Sequence, residues 1–236
     1  MRKEKADPGF KIGDLIDAKN KALFEEVNAK APIQLVPSTN GEWGSVLNKD
    51  GKSSTVEVVS TEKPAPVFTH ELLHIRLELA GLIKPKCCKF PTEFMYEVVQ
   101  TMNDVAHHRM YPDFIALGYA PEEFLGTADQ GVEKHIEQEL DYFGKLLAAK
   151  KKPLGAQVLR LYFTIHNPHD EKTVQKYRDR FIGVFGQGLV DSLDAVVKDW
   201  KESGSNDYSP YVAKLFGLCG EKGWVFGKDE GHLFSS

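Results

Sequence analysis

The chain has 236 residues, 42% of them hydrophobic and 27% charged, with a net charge of −4 from 30 basic and 34 acidic side chains. This balance excludes a disordered or fibrous chain and predicts no strong pull toward nucleic acid or an anionic membrane surface. Three cysteines, two of them adjacent at Cys87 and Cys88, cannot build a disulfide framework and predict a reducing compartment.

Residues 1–13 are charged, contain Pro8, Gly9 and Gly13, and read as a tail. No apolar run follows the N-terminal charges, and no stretch approaches the roughly 20 apolar residues of a membrane span. The expectation is a cytoplasmic protein with no membrane and no nucleic-acid partner. Asp14 is placed to cap a helix over about 15–29. Ile33 to Val36, between Pro32 and Pro37, predict a short strand. Residues 38–54 are rich in Ser, Gly, Asn and Asp and predict a turn or hairpin. The β-branched run Thr55-Val56-Glu57-Val58-Val59 predicts a second strand.

Pro64 and Pro66 precede an expected helix over about 67–80, ended by Gly81. A second helix is expected from Pro91 to about Met110, ended or bent by Pro112. Beyond 113 the pattern is helical, with segments near 121–125, 130–149, 154–165, 171–185, 189–203 and 208–219. Trp224-Val225-Phe226 is read as a last strand or a docking segment. The expected organisation is a tail over 1–13, a catalytic region over 14–112 and a helical region over 113–236.

The chemistry lies in residues 70–74, His-Glu-Leu-Leu-His. On a helix, positions i and i+4 share a face, so both imidazoles can reach one tetrahedral ion. The intervening Glu71 then stands beside the remaining coordination position, where it can take a proton from metal-bound water and pass it to a leaving group. Zinc suits imidazole ligands and hydrolysis without redox change. Phe68, Leu72, Ile75 and Leu79 give this segment an apolar stripe, which places the motif on a helix.

Two histidines need a third protein ligand, and Leu77 and Ala80 stand where a longer single-helix motif would continue. The helix over 91–110 offers Glu93, Glu97, Asp104, His107 and His108. Met95, Val98, Met102 and Val105 mark one face of it, and His107 borders that face. His107 is therefore the expected ligand, ahead of Glu97, Asp104, His108 and Glu93; His108, Glu93 and Glu97 are expected to project toward solvent.

The stretch Val67-Phe68-Thr69-His70-Glu71-Leu72-Leu73-His74 resembles the active-site helix of gluzincin-like and related zincin metallopeptidases. The resemblance covers about residues 55–112, and its specific core is residues 70–74. It implies a zincin-like α+β fold, zinc held by His70 and His74, Glu71 as general base, and a peptide or protein substrate. It also implies that Val56–Val59 form an edge strand pairing with an extended substrate. Gluzincins take the third ligand from a glutamate, and Thr92 to Glu97 match that pattern loosely. Asn103 to Met110 look more like the histidine-bearing helix of some uncharacterised bacterial HExxH proteins.

Other groups are weighed against plain structural roles. His166-Asn167-Pro168-His169-Asp170 reads as a turn. Tyr96, Tyr111, Tyr119 and Tyr162 are each candidates for a transition-state donor, with no choice among them. Cys87-Cys88 read as packing or surface thiols, Gly183 to Gly188 as a helix break, and Lys150 to Lys152 as a basic helix end. The fold class expected is α+β: a small N-terminal sheet, an active-site helix pair and a mainly helical C-terminal half. The function expected is a zinc metallopeptidase. The alternatives are a binding or regulatory module with a structural or vestigial metal site, and a zinc hydrolase of a non-peptide amide.

Overall fold

The computed structural model describes residues 9–82, 86–88, 95–124, 132–166, 171–221, 223–226 and 231–234. Side chains at 86–88, 95–100, 132, 223–226 and 231–234 lie outside that description. So do Glu93, the side chains of Glu97 and Tyr96, and the 167–170 turn. The fold is mixed α+β and mostly helical. Among the described residues no helix is long and apolar enough to cross a membrane.

The chain divides into two compact units, Met1–Gly81 with Met110–Ala128, and Leu82–Arg109 with Asp129–Ser236. In the first unit a 3-10 turn, Ile12–Leu15, precedes helix α1, Lys21–Lys30. The helix expected from residue 15 starts later. Asp14 accepts from the Lys11 backbone N–H, and Asp17 and Asn20 bond each other's backbone N–H groups, a local pairing that competes with helix. Strands β1, Ile33–Pro37, β2, Gly44–Leu47, and β3, Ser54–Val58, form a sheet in the order β1-β3-β2. β1 runs parallel to β3 and β2 antiparallel, so the hairpin expected between 38 and 54 supplies a strand of its own.

This order corrects the expected edge strand. Val56–Val58 lie in β3, paired on both sides, and β2 is the antiparallel edge. Val56 and Val58 are buried, as a central strand over a helix requires. The Ser/Gly/Asn-rich sequence around Gly44-Ser45-Val46-Leu47 concealed the true edge.

Helix α2, Pro64–Leu79, packs against β2. Pro64 and Pro66 belong to its first turn, where a missing N–H costs nothing. Every residue from Phe68 to Ile75 is buried, so α2 is a core helix rather than a surface one. Gly81, at φ +92°, ends it by the left-handed exit that favours glycine. A buried polar knot fixes its entry. Asn20 Nδ2 donates to the Leu15 carbonyl at 2.9 Å and to Thr69 Oγ1 at 3.0 Å. Thr69 Oγ1 donates to the Ala65 carbonyl at 2.7 Å, and the Tyr119 hydroxyl donates to Asp17 at 2.8 Å. Asn20 and Thr69 are wholly buried. Asn20→Ala strips donors from buried acceptors and is expected to destabilise the fold by about 2 kcal/mol, read as a lowered urea midpoint.

Helix α3, Met95–Ala116, belongs to both units, the division falling between Arg109 and Met110. It runs through Pro112, beyond its expected end. In the first unit its last turns are held by the Arg76–Asp113 ion pair and by Phe114, whose ring meets those of Tyr119 and Phe124 at 5.0 and 5.1 Å.

The second unit contains β4, Lys86–Cys88, with β5, Gly223–Phe226, and β6, Gly231–Phe234, in an antiparallel sheet. It also contains α4, Val132–Ala148, α5, Gly155–His166, α6, Glu171–Phe185, α7, Gln187–Glu202, and α8, Ser209–Leu218. Gly186, at φ +88°, makes the sharp break between α6 and α7. Trp200 is the largest wholly buried side chain of the described residues.

Candidate metal centre

α2 presents His70 and His74 one turn apart, with their Nε2 atoms 3.1 Å from each other. Two nitrogens each about 2.0–2.1 Å from one tetrahedral zinc would stand about 3.3 Å apart, so the pair already has the spacing of shared ligands. α3 supplies His107. One ligand nitrogen from each of His70, His74 and His107 lies within 4.8 Å of the others, the one such group among the described residues. Relative exposures are 8% for His70, 6% for Glu71, 7% for His74 and 5% for His107.

Burial explains the state of these groups. Desolvation pulls His70 down to about 4, against a backbone hydrogen bond with Phe124 that pulls upward. At neutral pH the ring is uncharged and has a lone pair to give. The Phe124 ring packs on His70 at 4.6 Å between centroids and keeps solvent from that side. Around His107, Asn103 Nδ2 lies 3.2 Å from Nε2 and Asp104 Oδ1 lies 3.7 Å from Nδ1. At that separation the carboxylate is a charged neighbour of the ring rather than a hydrogen-bond partner. Asn103 is exposed and can yield its place to an ion. The donor set of three buried imidazoles fits zinc.

Glu71 shares the buried stretch of α2, and Ser45 Oγ of β2 donates to its backbone carbonyl at 3.2 Å. This bond pins the sheet edge to the motif. Farther along, the Leu47 N–H donates to Glu78 Oε2 at 3.3 Å, away from β3, while the Asn48 N–H donates to the Ser53 carbonyl at 2.9 Å. By strand alternation the backbone groups of Ser45 also face the outer edge, beside Glu71.

His108 departs from the expectation. Its ring packs on Phe163 at 5.5 Å, its Nε2 is buried, and it is not part of the three-histidine group. Helix α3 has apolar neighbours on more than one side, which a single-stripe reading misses. Burial pulls His108 down to about 4. His166 Nδ1 lies 2.7 Å from the Tyr162 carbonyl and Arg178 meets its Nε2 at 2.9 Å, so it closes a helix end.

His70 and His108 set an acid limit on stability. Both bind a proton near pH 6.5 when unfolded and only near 4 when folded. Their contribution is therefore present above about pH 6.5 and is lost as pH falls toward 4. The metal-free chain is expected to lose about 3 kcal/mol per histidine across that window, read from urea midpoints at stepped pH. A flat profile between pH 7 and 4 contradicts the burial of these rings.

In comparisons with known proteins, no family model, no curated protein and no solved structure matches this chain.

Proposed function

We propose that the chain is a zinc-dependent hydrolase that cleaves peptide bonds, a gluzincin-related metallopeptidase with a zincin-like arrangement of sheet, α2 and α3. The observation that carries this reading is the pair of buried imidazoles facing each other at 3.1 Å, with Glu71 between them in sequence and a third imidazole close by. His70, His74 and His107 would hold the ion. When bound, zinc supplies Lewis acidity, which polarises a carbonyl and makes water acidic enough to attack near neutral pH.

The chain's own groups do the rest. Glu71, on the same turn, takes the proton released by the attacking water and returns it to the departing amine nitrogen. Its burial limits competing solvent. The outward backbone groups of Ser45 would bond an extended peptide, which would bring the scissile bond to the motif. The Glu78 carboxylate occupies the next outward N–H, at Leu47, and so bounds that edge. The cytoplasmic setting belongs to the same reading. Burial pushes the Cys219 thiol up to about 12, which suits an inert packing cysteine in a reducing compartment.

The test begins with metal-free protein titrated with zinc and assayed on an unfolded protein such as casein and on a mixed peptide library. One zinc per chain and cleavage abolished by chelation are expected. His74→Ala is expected to weaken zinc binding more than about 100-fold. Zinc binding without cleavage of any peptide contradicts the proposal.

A further inference from the structure

The hydrolase reading leaves one requirement unassigned: a donor for the negative charge that develops on the substrate's carbonyl oxygen. Such a donor must be a hydroxyl, amide or imidazole that sits at the centre and is not spent elsewhere. Four tyrosines are candidates by sequence, and their surroundings separate them. The Tyr119 hydroxyl donates to Asp17 and lies 3.2 Å from Thr69 Oγ1, so it belongs to the buried polar knot at the start of α2. The Tyr162 hydroxyl donates to Asp194 at 2.6 Å in the second unit, where Arg178 pairs with the same carboxylate. The side chain of Tyr96 lies outside the described residues.

Tyr111 differs from these in three ways. It stands one helical turn after His107 on α3, so both side chains leave the same face of that helix. Its ring meets Phe124 edge to face at 5.4 Å, and Phe124 packs on His70 at 4.6 Å. Phe124 is therefore a neighbour of both the Tyr111 ring and the His70 ring. Tyr111 is half-buried, and among the described residues no group takes its hydroxyl. A tyrosine whose ring is clamped while its hydroxyl is uncommitted loses little freedom when it donates to a ligand.

We infer that Tyr111 is a catalytic residue of this centre, its phenol O–H donating a hydrogen bond to the carbonyl oxygen of the scissile peptide as that oxygen gains charge. The inference rests on the hydrolase reading and goes beyond it. No proton changes owner in this step; the phenol remains protonated throughout. Burial and the nearby Glu122 carboxylate both push the hydroxyl above its ordinary range, which keeps it a donor at neutral and mildly alkaline pH.

The variant is Tyr111→Phe, which keeps the ring on Phe124 and removes only the oxygen. In zinc-loaded protein kcat is expected to fall about 100-fold while KM changes little. The second readout is calorimetric. A peptidyl phosphonate, which copies the tetrahedral charge, is expected to bind Tyr111→Phe about 100-fold more weakly than wild type. The parent peptide, measured on a Glu71→Gln background with and without Tyr111→Phe, is expected to bind equally well. Zinc stoichiometry stays at the wild-type value. Full kcat and undiminished phosphonate affinity in Tyr111→Phe, with Glu71→Gln inactive, overturn the role of Tyr111 alone. Wild-type protein that neither cleaves peptides nor binds the phosphonate overturns the hydrolase reading and this inference with it. Equal losses for peptide and phosphonate assign Tyr111 to ground-state packing and reject the donor role.

Discussion

Glu71→Gln is expected to leave zinc stoichiometry unchanged and to lower peptide hydrolysis by about 10³-fold. The substitution conserves volume, which matters at a position only 6% exposed. It also leaves the backbone carbonyl that receives Ser45 Oγ in place. What disappears is the ability to hold a proton between attack and departure of the amine. KM is expected to stay near wild type, since an interaction made only in the transition state lowers kcat and kcat/KM together. Retained turnover in this variant rejects Glu71 as the base. Loss of zinc with loss of turnover reassigns it to the upkeep of the site.

The largest effect on stability is expected at Trp200. Its ring is 1% exposed, its Nε1 donates to the Val105 carbonyl of α3 at 3.2 Å, and Tyr208 and Tyr211 meet it at 5.4 and 5.5 Å. Arg109 lies over it, with the guanidinium 3.4 Å from the ring centroid, and donates to the Trp200 carbonyl at 2.7 Å and to the Ser205 carbonyl at 2.5 Å. One side chain thus joins α3, α7 and the turn after α7. Trp200→Ala leaves a cavity, an unsatisfied Val105 carbonyl and a guanidinium without its platform. It is expected to cost about 4 kcal/mol, measured from the urea midpoint. Trp200→Phe keeps most of the volume and is expected to cost less than half of that. A cost below about 1 kcal/mol for the alanine variant contradicts this packing.

The parts of the fold that were legible in the sequence are those where local pattern and tertiary setting agree. The apolar spacing through Phe68, Leu72 and Ile75 marks α2, and two histidines four apart on it face the same way whatever surrounds them. The buried place of His107 near His70 and His74 is legible because it borders the apolar face of α3. Three features were not legible. The strand Gly44–Leu47 has weak propensity and is made a strand by pairing with β3 and by the bond from Ser45 to α2, both distant in sequence. The delayed start of α1 follows from Asp17 and Asn20 bonding each other's backbone, a competition that periodicity does not register. A single apolar stripe predicts a solvent-facing His108, whereas Phe163 covers that side of α3. Among the tyrosines, the acceptors that commit the hydroxyls of Tyr119 and Tyr162 elsewhere lie far off in sequence, where periodicity does not reach.

The most direct measurement is an experimental structure of the zinc-soaked protein. The expected result is one ion bonded to a nitrogen of His70, of His74 and of His107, with a single position left to solvent and Glu71 beside it. An ion found elsewhere, or a fourth protein atom closing that position, contradicts the assignment of this centre to hydrolysis.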